Sequence, residues 1–380
     1  MELIGFVWEN VVPFVFVLTV LVFVHELGHY WVARRSGVRV EVFSIGFGPE
    51  IYGWNDKAGT RWKVSAIPLG GYVKMFGEAD SIENDEGEER ELTQDEKDVS
   101  FAHKGLLQRI AIVAAGPLAN FALAIVLFAG IFGISGSPRL LPFVATVQSG
   151  SAAESAGLLT GDEILRVDDE IIHSFNDLRR VVSAKPGITI EIVVLRDGAE
   201  KGLSATPLVH KATGADGTER EIGLLGVSAD SSKLEYIRSG PGEAVWKALE
   251  VTVSMSWRIL EYLGQMIVGS RPSEELGGPL RIAQMSAEVA EGGFVNLINF
   301  MALLSINLGL INLFPIPMLD GGHLVFFFVE AIRGRPLTER IQEYGFRFGL
   351  FLVLLLMVFA TWNDLVHHFK VLEFLQGLGI

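Results

Sequence analysis

Four stretches of the chain stay apolar long enough to cross a bilayer. They run from about Asn10 to Ala33, Leu106 to Ile134, Phe294 to Phe314 and Phe346 to Trp362. Each is close to the ~20 residues that a helix needs to span the hydrocarbon core. In the second, Ile110 to Val113 and Phe121 to Phe128 flank Gly116-Pro117. Between the first and second stretches the pattern changes. Phe43 to Pro49 and Arg61 to Met75, the latter with Gly70-Gly71 inside it, predict short strands broken by Gly and Pro. Their apolar content predicts a β-hairpin that dips toward the membrane. Non-helical backbone at that depth is tolerated only where it lines a cavity or packs in protein. An exposed strand edge there could pair with an extended peptide; an ordinary interfacial hairpin fits the same residues.

A polar insert runs from about Leu141 to Ala229. Phe143 to Val147 predicts a strand, Ser151 to Leu158 a short helix with a Gly stop, and Leu159 to Glu170 a turn, a strand and a tight turn. Phe175 to Ser183 is an amphipathic helix, and Ile188 to Leu195 with Ala199 to Ala205 are strands around an Arg196-Asp197-Gly198 turn. Gly223 to Val227 closes the insert. After it, Gly242 to Gly269 has a helical period with Trp246, Val253, Trp257, Leu260 and Leu263 on one side. A shorter helix ends at Glu288. That aromatic side belongs either in a core or on a bilayer surface.

Composition sharpens this picture. The chain is 49% hydrophobic, with a mean hydropathy of +0.38, more than a soluble globule needs. The net charge of −14 argues against a nucleic-acid partner. Much of it is local: Glu78 to Asp98 holds eleven acidic residues against Arg90 and Lys97, a solvated loop by its charge. There is no Cys, so cysteine catalysis is excluded and any zinc must use His and carboxylate. Met1 to Ile4 has no positive charge and no small-residue cleavage site follows, so the first helix is expected to stay in the mature protein. Arg34, Arg35 and Arg39 follow the first span, Lys104 and Arg109 precede the second, and Arg333, Arg335, Arg340 and Arg347 lie between the last two. The excess of Lys and Arg predicts that these two loops are cytoplasmic, with both termini and the insert outside.

The candidate chemistry sits at the end of the first span. His25-Glu26-Leu27-Gly28-His29 is an H-E-x-x-H sequence. On a helix the two imidazoles share a face and can hold zinc, and Glu26 can act on its water. Ionisable groups in a membrane helix are costly and mark a functional site. A third ligand is needed. The third span runs out through Asn312, Pro315 and Pro317 to Asp320-Gly321-Gly322-His323. Asp320 is expected on a Gly-flexed turn at the depth of His25 and His29, where it completes a two-His, one-carboxylate site. His323 is a second candidate on chemistry alone.

The run Gly150-Ser151-Ala152-Ala153 through Ala156-Gly157-Leu158 to Gly161-Asp162 and Ile164 resembles a PDZ domain of the bacterial periplasmic type. Together with His25 to His29, Ala115 to Phe121, and Asn312, Pro315, Pro317 and Leu319-Asp320-Gly321, it makes the chain resemble the site-2 protease family, in the manner of the bacterial RseP-type members. The resemblance implies a polytopic α-helical membrane protein with about four transmembrane helices, a membrane-associated β-hairpin and an inserted α/β PDZ domain. Its parts would be 1–140, with two spans and the hairpin; 141–229, the PDZ domain; 230–292, amphipathic interfacial helices; and 293–380, the last two spans. It implies an intramembrane zinc metalloendopeptidase of regulated intramembrane proteolysis. The substrate would be a single-span membrane protein, such as an anti-sigma factor or a signal-peptide remnant. His25, His29 and Asp320 would bind Zn2+ and Glu26 would be the base. Asn312 and Pro315 would position substrate, and Gly70-Gly71 would clamp it as an added strand. The setting would be the bacterial inner membrane, with the PDZ domain periplasmic and open to a peptide ligand, and the active site near the cytoplasmic face. Enterobacterial members carry two tandem PDZ modules and this chain shows one, so filtering by a paired unit does not carry over. The alternative from the residues alone is a non-catalytic, membrane-anchored PDZ adaptor.

Overall fold

The computed structural model describes residues 11–77, 81–83, 89–213, 219–270 and 277–368. The extreme N-terminus and part of the acidic run, 78–80 and 84–88, lie outside them. In chain order the elements begin with α1 (Val12–Arg35), β1 (Val40–Asn55), β2 (Arg61–Met75), a small hairpin of β3 (Ser81–Glu83) and β4 (Glu89–Glu91), and α2 (Leu106–Gly130). Next come β5 (Ser137–Leu140), β6 (Val144–Val147), β7 (Glu163–Val167), β8 (Glu170–Ile171), α3 (Phe175–Ser183), β9 (Ile190–Arg196) and β10 (Ala199–Ala205). They are followed by β11 (Leu208–Thr213), β12 (Glu219–Leu224), β13 (Val227–Ala229) and β14 (Leu234–Ile237). The last helices are α4 (Pro241–Ile267), α5 (Pro279–Glu291), α6 (Phe294–Asn312), α7 (Asp320–Arg333) and α8 (Glu339–Asn363). Two compact units result: Phe132–Gly240, and the remainder of the chain on both sides of it.

Among the described residues, four helices are long and apolar enough to cross a membrane: Val12–Arg35, Leu106–Ser135, Phe294–Asn312 and Arg340–Val366. α1 buries Val17, Leu21, His25, His29 and Ala33, a stripe repeating every fourth residue as one helix face requires. The two histidines continue that stripe. α2 meets it through small residues. A Cβ on Gly28 would collide with the Ala115 carbonyl oxygen, so glycine lets the two backbones close up. α6 packs against α2 in the same way, with Gly309 against Pro117 and Phe121, and Ser305 Oγ donates to the Asn120 carbonyl at 2.8 Å.

The expected hairpin is two long bent strands. The register places Tyr52 to Asn55 beside Val64 to Arg61, those beside Val42 to Ile45, and Val42 to Ile45 beside Lys74 to Gly71. Two strands thus give a sheet four segments wide, with Gly71 to Met75 on one edge. Glycines allow the bends: Gly46, Gly48 and Gly70 have φ of 89°, 86° and 129°, a region that disfavours side chains. An aromatic stack ties the sheet to α1: Phe43 lies on Trp62 at 4.2 Å, and Tyr30 meets Trp62 edge-on at 5.2 Å. Asp56, in the turn, accepts from Tyr30 Oη at 2.8 Å and Trp62 Nε1 at 3.1 Å. Burial alone would raise the Asp56 carboxyl, but these donors and the Thr60 and Ala58 amides outweigh it and hold it at about 2.

α7 is a helix where the apolar pattern predicts only a short loop between the last two spans. Its apolar run, Leu324 to Val329, is too short to stand out as a span. The aromatic stripe of α4 faces outward: Trp246, Val253 and Trp257 are 68%, 61% and 67% exposed, while Ala244, Ala248 and Thr252 are buried. Small residues make the protein contact, and the large ones stay exposed.

The unit Phe132–Gly240 is built on an antiparallel sheet of order β10-β9-β7-β8. Leu178, Val181 and Val182 of α3 close its core with Ile164, Ile190 and Ile192. β6 pairs with β13, and β5 with β14. The latter pair carries the unit beyond 141–229 at both ends. The motif residues here have structural jobs. Ser151 Oγ accepts from the Glu154 amide at 3.1 Å and caps a short helix. Asp162, 1% exposed, accepts two bonds of 2.7 Å from Arg196 and one of 2.9 Å from the Leu159 amide. Burial would raise the Asp162 carboxyl; Arg196 and Leu159 pull it below the usual range.

Candidate metal centre

His25, His29 and Asp320 come together although 295 positions separate the first from the last. One ligand atom from each lies within 4.8 Å of the others. His25 Nε2 is 3.2 Å from His29 Nε2 and 3.1 Å from Asp320 Oδ2, and His29 Nε2 is 3.5 Å from Asp320 Oδ1. Both imidazoles are 8% exposed. Glu26 follows His25 on the same helix and is half-buried. A Cβ on Gly71 would lie 3.4 Å from Glu26 Cγ and 3.1 Å from Val22 Cγ1, so the edge of the sheet rests directly on this part of α1.

Each side chain is held from behind. His29 Nδ1 donates to the Ile112 carbonyl at 2.8 Å. A carbonyl can only accept, so this nitrogen carries the proton and Nε2 presents its lone pair. Gly116 of α2 lies against both rings, and a Cβ there would overlap His29 Nε2 and Cε1. Asp320 is the first residue of α7, after an N-cap Leu319 that makes no side-chain capping bond, rather than on the flexible turn expected from the glycines. Gly321 and Gly322 serve close packing instead. A Cβ on either would strike the backbone of Leu313 and Phe314 or of Ile316 and Pro317. The double proline and Met318, at φ 96°, turn the chain back sharply so that α7 can begin here. That φ is strained for a non-glycine residue. Farther along, Arg109 of α2 grips Glu330 of α7 with bonds of 3.2 and 2.5 Å, fixing α7 against α2.

The donor set and spacing suit zinc. Bonds of ~2.0–2.1 Å at tetrahedral angles put ligand atoms about 3.3–3.4 Å apart, close to the 3.2 Å between the two imidazole Nε2 atoms, and each Nε2 has a different Asp320 oxygen within 3.5 Å. Asp320 Oδ2 is buried with no hydrogen-bond donor aligned to it, an orphan that a cation at this position would satisfy. The set has three protein ligands and leaves a fourth position for water or substrate, the pattern of catalytic rather than structural zinc.

Among the described residues the cluster contains these three alone. His323 lies outside it, with its ring 5.1 Å from that of Phe346. Asn312 is the last residue of α6 and Pro315 stands in the turn before α7; neither joins the cluster. Gly70 packs against the ring of Phe47. Two residues went unassigned in the sequence, Gly116 and Asn120. The available signal was a glycine and an amide inside an apolar helix, where small residues mark helix contacts and polar ones need a partner.

The family model for peptidase family M50 matches residues 13–356. The chain belongs to peptidase family M50, the site-2 proteases. It is a zinc metalloendopeptidase, which sets aside the adaptor reading. A protein of Agrobacterium fabrum that carries the name zinc metalloprotease is 45% identical, over 95% of this chain and 97% of that one. A Rhizobium meliloti protein with the same style of name is 45% identical over 93% and 95%. Metalloprotease MmpA of Caulobacter vibrioides is 39% identical over 99% and 100%. Among solved structures, the PDZ domain of an SdrC-like protein from Listeria monocytogenes is similar at 19% identity and a TM-score of 0.19, over 24% of this chain and 87% of that one.

Proposed function

We propose that this M50 protease hydrolyses a peptide bond inside the transmembrane segment of single-span membrane proteins, in regulated intramembrane proteolysis. Anti-sigma factors and signal-peptide remnants are the substrate types in view. One observation carries the reading: His25 and His29 of the apolar helix α1 converge with Asp320, next to Glu26, which a sheet edge touches. A helical substrate hides its carbonyls in intrahelical bonds. It must be extended before attack, and an edge formed by Gly71 to Met75 offers the pairing partner.

In this reading His25, His29 and Asp320 hold the zinc. When bound, zinc supplies polarisation of the scissile carbonyl and a more acidic water. Glu26 takes the proton of the attacking water and hands it to the amine nitrogen that leaves. Gly70-Gly71 clamp the added strand. Asn312 and Pro315 position the substrate at the mouth of the turn before α7. The outer unit is a PDZ domain, and a peptide ligand there would join a sheet edge.

The test is zinc content paired with cleavage of a single-span substrate in purified protein. The wild type is expected to hold one zinc and cleave; Asp320→Ala is expected to lose both. Full zinc retention in Asp320→Ala would remove Asp320 from the site. The Lys and Arg clusters support a bacterial inner-membrane topology, with the metal centre near the cytoplasmic face and the PDZ domain periplasmic. Reporter fusions at Ser183 are expected to be active only in a periplasmic-reporting format; cytoplasmic activity there would reverse the topology.

A further inference from the structure

One buried polar side chain beside the metal centre has no assigned task. Asn120 of α2 is 0% exposed, and its side-chain amide faces the far nitrogen of His25. Asn120 Nδ2 stands 3.1 Å from His25 Nδ1, while Asn120 Oδ1 is buried without a partner. The two amide atoms have the same shape, and a half-turn about the last torsion exchanges them. Without a metal the hydrogen bonds favour Nδ2 toward His25, since the proton then on His25 Nε2 can reach the His29 Nε2 lone pair at 3.2 Å.

Metal ligation requires the other orientation. With Nδ2 toward His25, Nδ1 accepts, the ring proton sits on Nε2, and the atom facing Asp320 has no lone pair to give. With Oδ1 toward His25, Nδ1–H donates and the Nε2 lone pair faces the cluster. His29 has no such freedom, because its Nδ1 partner is the Ile112 main-chain carbonyl. The two ligands of one motif are therefore set differently, one by backbone and one by a replaceable side chain.

We propose that Asn120 is a positioning residue for the metal centre: it presents Oδ1 to His25 Nδ1–H and so fixes the tautomer that binds zinc. This rests on His25 being a zinc ligand. The Ser305 bond to the Asn120 carbonyl anchors the backbone and is independent of the side chain, so substitution at 120 leaves that helix contact in place.

The experiment is chelator-competition titration of zinc in the full-length protein for wild type, Asn120→Leu, Asn120→Asp and His25→Ala, with the melting temperature of each zinc-free form. Asn120→Leu is expected to bind zinc roughly ten- to a hundredfold more weakly. Asn120→Asp keeps an acceptor at the same place and is expected to restore binding. Wild-type affinity in Asn120→Leu beside a defective His25→Ala would overturn this proposal alone. So would an Asn120→Asp as weak as Asn120→Leu at matched zinc-free melting temperatures. Wild-type affinity in His25→Ala would overturn the assignment of the site and this proposal with it.

Discussion

With Glu26 replaced by Gln, the protein is expected to keep its zinc and to cleave a single-span substrate on the order of 10²–10⁴-fold more slowly. The amide has nearly the shape of the carboxylate, so the Gly71 edge still rests on α1. It cannot accept the proton of the attacking water, and that is the step lost. Glu26 is not in the three-residue cluster, so metal content should be unchanged. Substrate should therefore accumulate on the variant and co-purify with it. Single-turnover cleavage and zinc content measured on the same preparations check the prediction. An unchanged rate would mean that another group takes the proton.

Gly116→Ala is expected to abolish zinc binding by a different route. The added Cβ would overlap His29 Nε2 and Cε1 and lie 2.8 Å from His25 Cε1. It occupies the space in which the two rings turn their Nε2 atoms toward Asp320. Within a helix the same change favours folding, by up to ~1 kcal/mol, so the loss should fall on the site. Gly130→Ala is the control on the same helix, because a Cβ there meets nothing within 4 Å. The measurement is bound zinc after dialysis against a weak chelator, together with cleavage. Gly116→Ala is expected to fail in both and Gly130→Ala in neither. A zinc-loaded, active Gly116→Ala would show that α1 and α2 can separate enough to absorb a methyl group.

The two glycines after Asp320 show where sequence reasoning reached and where it stopped. Gly321-Gly322 next to two prolines signalled an irregular backbone at the end of a span, and the structure has a sharp reversal there. By local pattern alone the glycines predict flexibility. In the fold they are packing residues pressed against Leu313 to Pro317, and Asp320 begins a regular helix. Local pattern tells that the chain must bend; it does not tell what lies on the other side of the bend. α4 makes the same point. Its aromatic stripe was legible at helical spacing, but spacing cannot say whether the stripe faces protein or lipid. Ala244, Ala248 and Thr252, buried on the opposite face, show that the protein contact is made there and leave the stripe exposed. The bends within β1 and β2 were also beyond local reading: the Gly-broken pattern implied short strands, and pairing among four segments made them two long ones.

By itself the sequence determined the four apolar spans, because length and hydropathy are properties of single segments. It also determined the chemistry available to the site. Without cysteine, a zinc centre had to come from His and carboxylate, and His25 with His29 fell on one helix face by spacing alone. Only the tertiary structure decided the rest. It brought Asp320 to within 3.1 Å of His25 Nε2 and laid a sheet edge against Glu26. It also set Gly116 and Asn120 behind the imidazoles. These are contacts between helices distant in sequence, fixed by backbone approach and side-chain direction, and no periodicity along one segment encodes which residue of another it will touch.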